Sequence, residues 1–467
     1  MNYIELNGDC INRLKEKIKI IYNRTPLFFI ETYGCQQNEA DSEKLMGMAK
    51  EIGFDITDDK NEADLILFNT CAVREHAELK ALSHTGHIKH LKELNPSLIV
   101  GLCGCMVQQE HRKEDIKHKY PYVDFVFGTN MIFKFPQIVE KVLERTKRQF
   151  FVESYETNKG DMVEEVPVLR KSTKTAWVSI MYGCNNFCTY CVVPYVRGRE
   201  RSREMSAVIS EVKDLVSKGY KDITLLGQNV NSYGKDLKDT PSFVDLLRAL
   251  DEIQGDFVLR FMTSHPKDAT HELFDFISQS RHMAPHFHLP MQSGSDRILS
   301  EMNRHYDRKT FLELCKYAKS VMPEISLTTD VIVGFPGETE EDFVETLSAL
   351  EEVRFDSVYS FIYSKRKGTK AAEMTEQIDD ETKKDRMGRL LELQQKISNE
   401  NNLKLVNKVL KVIIEGNSKT NENVWAGRTE QGKIIHFPKD SRALLPGQVV
   451  DVEVERTESY TIYGKLK

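Results

Sequence analysis

Cys184, Cys188 and Cys191 stand at CxxxCxxC spacing in Met181-Tyr-Gly-Cys-Asn-Asn-Phe-Cys-Thr-Tyr-Cys191. Three thiolates at that spacing can each hold one iron of a four-iron, four-sulfur cluster and leave the fourth iron open. Structural iron–sulfur and zinc sites ordinarily take four protein ligands, so an incomplete set marks a cluster that must bind something else. Two blander chemistries compete. A disulfide suits poorly a chain of 467 residues with an odd nine cysteines and no secretory signal. Zinc is the stronger rival, because CxxC pairs are common zinc ligands, yet no second CxxC or HxxxH completes a tetrahedron nearby. Cys10 and Cys315 each stand alone and read as buried, inert thiols.

A second constellation lies in the first third of the chain. Three strand-like runs each finish at a cysteine: Leu27 to Cys35, Leu65 to Cys71 and Leu98 to Cys105. Helix-like stretches, Glu39 to Ile52 and Arg74 to Leu94, separate them, so the order βαβαβ predicts a parallel sheet with crossover helices. Ligands of such sheets sit outside the carboxyl ends of the strands, which is where all three cysteines fall. Cys35, Cys71 and Cys105 are therefore expected to meet and hold a second three-ligand cluster. Cys103 competes with Cys105, since residues i and i+2 share a strand face; Cys105, beyond the buried run and after Gly104, is preferred.

The elements that must position the first set begin at Lys174. Strands are expected at Ala176–Met181, Asp222–Leu226, Phe257–Thr263, His286–Pro290, Leu327–Gly334 and Ser357–Tyr363, with helices such as Met205–Lys218, Ser242–Ile253 and Glu341–Val353 between them. Six βα units predict an open, partial TIM-type barrel, closed by a polar helix over Asp379–Asn401. Polar and glycine-bearing segments cluster where the strands end: Gly227-Gln228-Asn229-Val-Asn231, Ser264-His265-Pro266, Gln292-Ser-Gly-Ser295, Gly334-Phe-Pro-Gly337-Glu338 and Ser364-Lys365. That face is where barrels build active sites. Gly334 and Gly337 serve either a turn or a close ligand approach, Tyr190 either stacking or packing, and His265 reads as a loop histidine rather than a catalyst.

Arg197, Arg199, Arg201 and Arg203 follow at every second position. On an extended segment they would form a row of planar forks suited to phosphate, with nucleic acid as its source, and Lys365-Arg366-Lys367 adds a basic cluster on the barrel rim. The last part, Lys408 to Lys467, holds five short strand-like runs, a small β-barrel of the kind that grips oligonucleotides or serves structure alone. Trp425, Arg428, His436 and Phe437 are its candidate RNA contacts.

Composition limits the classes available. The length asks for two or three domains. Sixty-five Lys and Arg against 71 Asp and Glu give a net charge of −6, so any nucleic acid must be held by local patches rather than a basic coat. No apolar run approaches the ~20 residues of a membrane span. A cytoplasmic, reducing location is expected.

Taken together, these parts resemble the radical S-adenosylmethionine (SAM) methylthiotransferases from about Pro26 to Lys467. Tyr33-Gly-Cys-Gln-Gln-Asn38, Gly104-Cys-Met-Val-Gln108, Cys184 to Arg203, Leu226 to Asn231 and Ser326 to Thr339 carry the likeness, and Asn69-Thr-Cys-Ala-Val-Arg-Glu-His-Ala77 is similar to the branch acting on isopentenylated adenosine of tRNA. Two departures stand out: Gln37 replaces a usual methionine, and residues 1–24 are an extension without a legible role. The resemblance implies an α/β chain in the following order: extension 1–24, N-terminal domain 25–147 with an auxiliary cluster, linker 148–172, radical-SAM core 173–401 and TRAM-like β-barrel 402–467. It implies two 4Fe-4S clusters, on Cys35/Cys71/Cys105 and Cys184/Cys188/Cys191, and SAM contacts at Tyr190, Gly227, Gln228, Asn229, Gly334 and Gly337. One SAM would methylate a sulfur on the auxiliary cluster, and a second would yield the radical that activates C2 of the adenosine at tRNA position 37. Implied partners are tRNA, an electron donor such as flavodoxin or ferredoxin, and a sulfur source, for a monomer that binds no membrane. Relatives acting on threonylcarbamoyladenosine or on a ribosomal protein, and a non-enzymatic iron–sulfur RNA sensor, are the alternatives.

Overall fold

The computed structural model describes residues 1–144, 147–155, 160 and 162–467. The chain divides into two compact units, one of Met1–Lys171, Met181–Asn185 and Cys191–Ala207, the other of Ser172–Ile180, Asn186–Tyr190 and Val208–Lys467.

The first unit opens with helix α1 (Tyr3–Tyr22), whose buried Tyr3, Asn7, Ile11, Leu14 and Ile18 recur at helical spacing as one stripe. Asn2 and Glu5 close a capping box at its start. Thus the extension is a docked helix, packed on α2 (Gln36–Ile52) and on the later helix Phe135–Glu144. The sheet is parallel and six-stranded, in the order β2 (Asp55–Ile56), β1 (Leu27–Thr32), β3 (Leu65–Thr70), β4 (Ile99–Gly104), β5 (Phe125–Phe127), β6 (Gln149–Phe151). Strand β3 is buried at all six positions, as a parallel strand covered on both faces must be. Its side chains alternate between two cores: Leu65 and Leu67 join Cys103, Phe125 and Phe127, whereas Ile66 and Phe68 join Val100, Leu102 and Val126. Strand β6 lies at the start of the segment expected to be a linker, so the sheet extends further along the chain than its composition suggests.

In the second unit, six parallel strands form two three-stranded sheets, Val258–Phe261/Asp222–Leu226/Thr175–Ser179 and His286–His288/Ser326–Val333/Ser357–Ile362. A parallel bridge between Leu259 and Met283 links them, giving the expected open barrel. Helices Phe243–Asp251, His271–Gln279, Arg308–Val321 and Glu340–Val353 alternate with these strands, and Asp380–Leu403 follows. The final five strands close into a barrel around Val412, Ile414, Trp425, Ile435, Phe437, Val452, Val454 and Ile462. Arg260 ties this module to the floor of the large barrel. This residue, 8% exposed, donates from its guanidinium to Asp222 Oδ2 at 2.9 Å and to the carbonyls of Glu430 and Thr429 at 2.7 and 3.1 Å. No described helix is long and apolar enough to cross a membrane.

Candidate metal centres

Cys35 follows β1, Cys71 follows β3 and Cys105 follows β4, so the three thiols occupy the carboxyl edge of adjacent strands. They lie close together: a methyl group on Gly34 would fall 2.5 Å from Cys71 Cβ and 3.0 Å from its sulfur, and Cys35 and Cys71 both disfavour ionisation of Cys105. Polar groups fix the edge. Asn38 Nδ2 donates to Asn69 Oδ1 and to the Thr70 carbonyl, each at 3.0 Å, while Asn69 Nδ2 returns a bond to the Asn38 carbonyl at 2.9 Å. The Val73 N–H points at Cys71 Sγ, 3.3 Å away.

Gly104 separates Cys105 from Cys103. Its φ of +96° breaks the pleat, so Cys105 no longer shares the face of Cys103. Cys103 is fully buried in the phenylalanine-rich core, which pushes its thiol well up. Cys105 instead packs with Ala72, Val192 and Val196 and meets Arg197, whose Nε donates to its sulfur at 3.1 Å. Burial pushes the Cys105 thiol up to about 12, and the guanidinium pulls it the other way. The far side of the Arg197 fork holds Asp41 Oδ2 at 3.0 Å. Three thiols at a shared edge, with a buried cation against one of them, fit an anionic iron–sulfur cluster.

The second cysteine set lies on the loop between Met181–Tyr182 and the helix Val193–Arg197. Gly183 (φ +74°) turns the chain so that the Cys184 N–H reaches the Gly198 carbonyl at 3.0 Å. Cys188 receives a buried guanidinium: Arg304, 5% exposed, donates from Nη1 to its sulfur at 3.4 Å and from Nη2 to the Pro290 carbonyl at 3.0 Å. Nothing in local spacing points to Arg304, which lies 116 residues away.

The carboxyl rim of the large barrel carries polar groups without protein partners. Asn229 is fully buried; its Nδ2 donates to Asp268 Oδ2 at 2.7 Å while its Oδ1 has none. Both amide atoms of Asn231 and Nε2 of His265 are equally unmatched. Burial, together with Arg304, lowers the His265 pKa to about 2, so its ring is neutral. Thr263 and Gln292 hold φ of +64° and +68°, strain of the sort that gathers at ligand sites. Orphaned amides and an imidazole at a strained rim fit a polar ligand such as SAM. Gly227 is buried and accepts from Thr263 Oγ1 through its carbonyl, and Gln228 beside it is partly exposed. Tyr190 packs beside Phe335 and Tyr363. Gly334 and Gly337 take positive φ in a turn closed by Gly334 N–H to Glu338 Oε2 (2.8 Å).

The expected arginine row does not form. Val193–Arg197 is helical, so strand alternation fails at its first member. Arg197 is buried on Asp41 and Cys105, and Arg203 is buried on Glu164 through Nε and Nη2. Arg201 donates to the Gly160 carbonyl at 3.0 Å, and Arg199 is exposed. Lys365 is exposed and Arg366 partly so. In the C-terminal barrel, Trp425 and Phe437 are core residues and Arg428 is engaged by Glu415, so they are not free to stack on bases; His436 faces Tyr463.

The chain matches three family models in succession: Uncharacterized protein family UPF0004 over residues 27–128, the Radical SAM superfamily over 178–350 and the TRAM domain over 403–467. Among solved structures it resembles the radical SAM methyltransferase TsrM from Kitasatospora setae, with a TM-score of 0.53 at 13% identity, covering 72% of this chain and 73% of that one. That likeness concerns the fold. This is therefore a radical SAM enzyme, whose class uses a 4Fe-4S cluster and SAM. Two curated relatives narrow the class. A protein of Clostridium tetani is 50% identical over 97% of this chain and 99% of its own, and one of Thermoanaerobacter pseudethanolicus is 51% identical over 94% and 92%; both are named tRNA-2-methylthio-N(6)-dimethylallyladenosine synthase. The chain belongs to that family.

Proposed function

We propose that this enzyme methylthiolates C2 of N6-isopentenyladenosine at position 37 of tRNA, beside the anticodon, using two 4Fe-4S clusters and two molecules of SAM. The supporting observation is the pair of separate three-cysteine sets: Cys184, Cys188 and Cys191 on one loop, and Cys35, Cys71 and Cys105 at one sheet edge. When bound, the clusters and SAM supply a methyl group, a sulfur site and a radical able to take hydrogen from an unactivated carbon. The chain's own part is to hold and orient. Asn229, Asn231 and His265 offer unmatched polar atoms to SAM, and the neutral His265 ring donates or accepts a hydrogen bond without adding charge. Gly227, Gln228, Tyr190, Gly334 and Gly337 shape the same rim. Exposed Arg199 and Lys365, with Arg366, are the remaining candidates for tRNA phosphate, and the TRAM domain supports tRNA as the partner. The reaction calls for an external electron donor of the flavodoxin or ferredoxin type and a sulfur source. We read the enzyme as a cytoplasmic monomer.

Mass spectrometry of tRNA nucleosides, after incubation of the anaerobically reconstituted enzyme with SAM, dithionite and isopentenyladenosine-containing tRNA, tests this. A new methylthio nucleoside, absent when Cys184 or Cys71 is alanine, is the expected result. Deoxyadenosine release without that product would move the substrate to threonylcarbamoyladenosine or a ribosomal protein, and no release at all would leave a sensor.

A further inference from the structure

Arg197 is an unusual residue to find 4% exposed beside a thiol. Its segment begins at Cys191, runs through the short helix Val193–Arg197 and delivers the guanidinium to the carboxyl edge of the sheet. Nε donates to Cys105 Sγ at 3.1 Å, and Nη2 donates to Asp41 Oδ2 at 3.0 Å and faces Asn38 Oδ1 at 3.5 Å. Asp41 is 2% exposed and lies on α2, the helix that begins immediately after Cys35. A buried carboxylate, a buried guanidinium and a cysteine sulfur thus form one line. Charged groups so placed act strongly, because little water screens them.

We propose that Arg197 is a positioning residue that raises the reduction potential of the cluster on Cys35, Cys71 and Cys105 by donating to Cys105, with Asp41 moderating its charge. The inference rests on the reading that these cysteines hold a cluster. A hydrogen bond to a ligating sulfur draws charge from it and stabilises the reduced, more negative state, and the charge of the surroundings acts in the same sense. Arg197 is therefore committed to the cluster rather than to phosphate.

The test uses the full chain with Cys184, Cys188 and Cys191 replaced by alanine, reconstituted with iron and sulfide and titrated with dithionite under electron paramagnetic resonance. In that background Arg197→Gln is expected to lower the reduced-to-oxidised ratio at fixed potential at least tenfold, about 59 mV for a one-electron couple. Arg197→Lys, which keeps the charge but loses the fork, falls between. Asp41→Asn, nearly isosteric, shifts the ratio the opposite way. Iron content must stay at the parent level in each variant. A residue serving packing alone would, when changed, admit solvent and move Arg197→Gln and Asp41→Asn in the same direction; that result, or no shift in either, overturns the inference. A parent without iron or signal would instead strike the cluster assignment itself, and the inference with it.

Discussion

Gly104→Ala is the substitution that most directly probes how the sheet presents Cys105. The φ of +96° costs an alanine ~1–2 kcal/mol. The added methyl would stand 2.4 Å from the Thr70 carbonyl oxygen, 2.6 Å from Asn69 Oδ1 and 2.7 Å from the Thr70 nitrogen. Even a close C–H···O contact needs ~3.3 Å between the heavy atoms, so β3 and Cys105 must part. Parting them strains the bond from the Cys105 N–H to the Thr70 carbonyl, now 2.8 Å and worth ~1 kcal/mol net. The expected local cost is ~3 kcal/mol. Hydrogen-exchange protection of the β3 and β4 amides reads this opening, and iron content in the Cys184/Cys188/Cys191→Ala background reads the ligand. Gly53→Ala is the control, because Gly53 has φ +110° but its nearest neighbour to a new methyl is Ile18 Cγ2 at 3.8 Å. It should cost only the dihedral term, ~1–2 kcal/mol, and leave iron unchanged. Equal protection loss in the two variants, with iron retained in both, would refute the argument that Gly104 aims Cys105.

Three further outcomes are expected. In the same background, Cys105→Ala loses the auxiliary iron while Cys103→Ala retains it, as iron and sulfide assays will show. Arg260→Met strands buried Asp222 and frees the Thr429 and Glu430 carbonyls, so the second unit should lose ~3–5 kcal/mol in urea unfolding, with partial recovery on adding Asp222→Asn. His265 carries a folded pKa of about 2, below its unfolded value of ~6.5, so the stability it contributes is complete above pH ~6.5 and is lost as pH falls toward its folded pKa. His265→Gln should therefore flatten the unfolding free energy between pH 6 and 4 by ~1.4 kcal/mol per pH unit, measured by urea titration at each pH.

Apolar runs ending in Gly or Thr before cysteine make β1, β3 and β4 legible: β3 and β4 are covered on both faces, and β1, mostly half-buried, still opens on four apolar residues. Strands β5 and β6 carry little sequence signal, since each is only three residues long and is held by pairing to β4 and to one another. The six strands of the large barrel were legible from the same run-and-turn pattern. The arginines depart from a row because alternate spacing implies a shared face only on an extended chain, and Pro194 sits at the start of a helix there. Trp425 and Phe437 show the matching limit for strands: alternation says that two faces exist, but which one is inside a closed barrel depends on how the barrel closes. Asp41 and Arg304 were invisible because their partners are distant in sequence.

Arg260 grips the C-terminal module through two carbonyls, and carbonyls are the same in every amino acid. The partly exposed side chain at Glu430 can therefore drift without loosening the hold, whereas buried Thr429 accepts the Lys433 N–H through its hydroxyl and helps set the turn, and a single inserted or deleted residue there would move both oxygens off the guanidinium. The joint should tolerate substitution at Glu430 and resist changes of length, so a transplanted module would seat on this barrel only if its turn keeps the same backbone path.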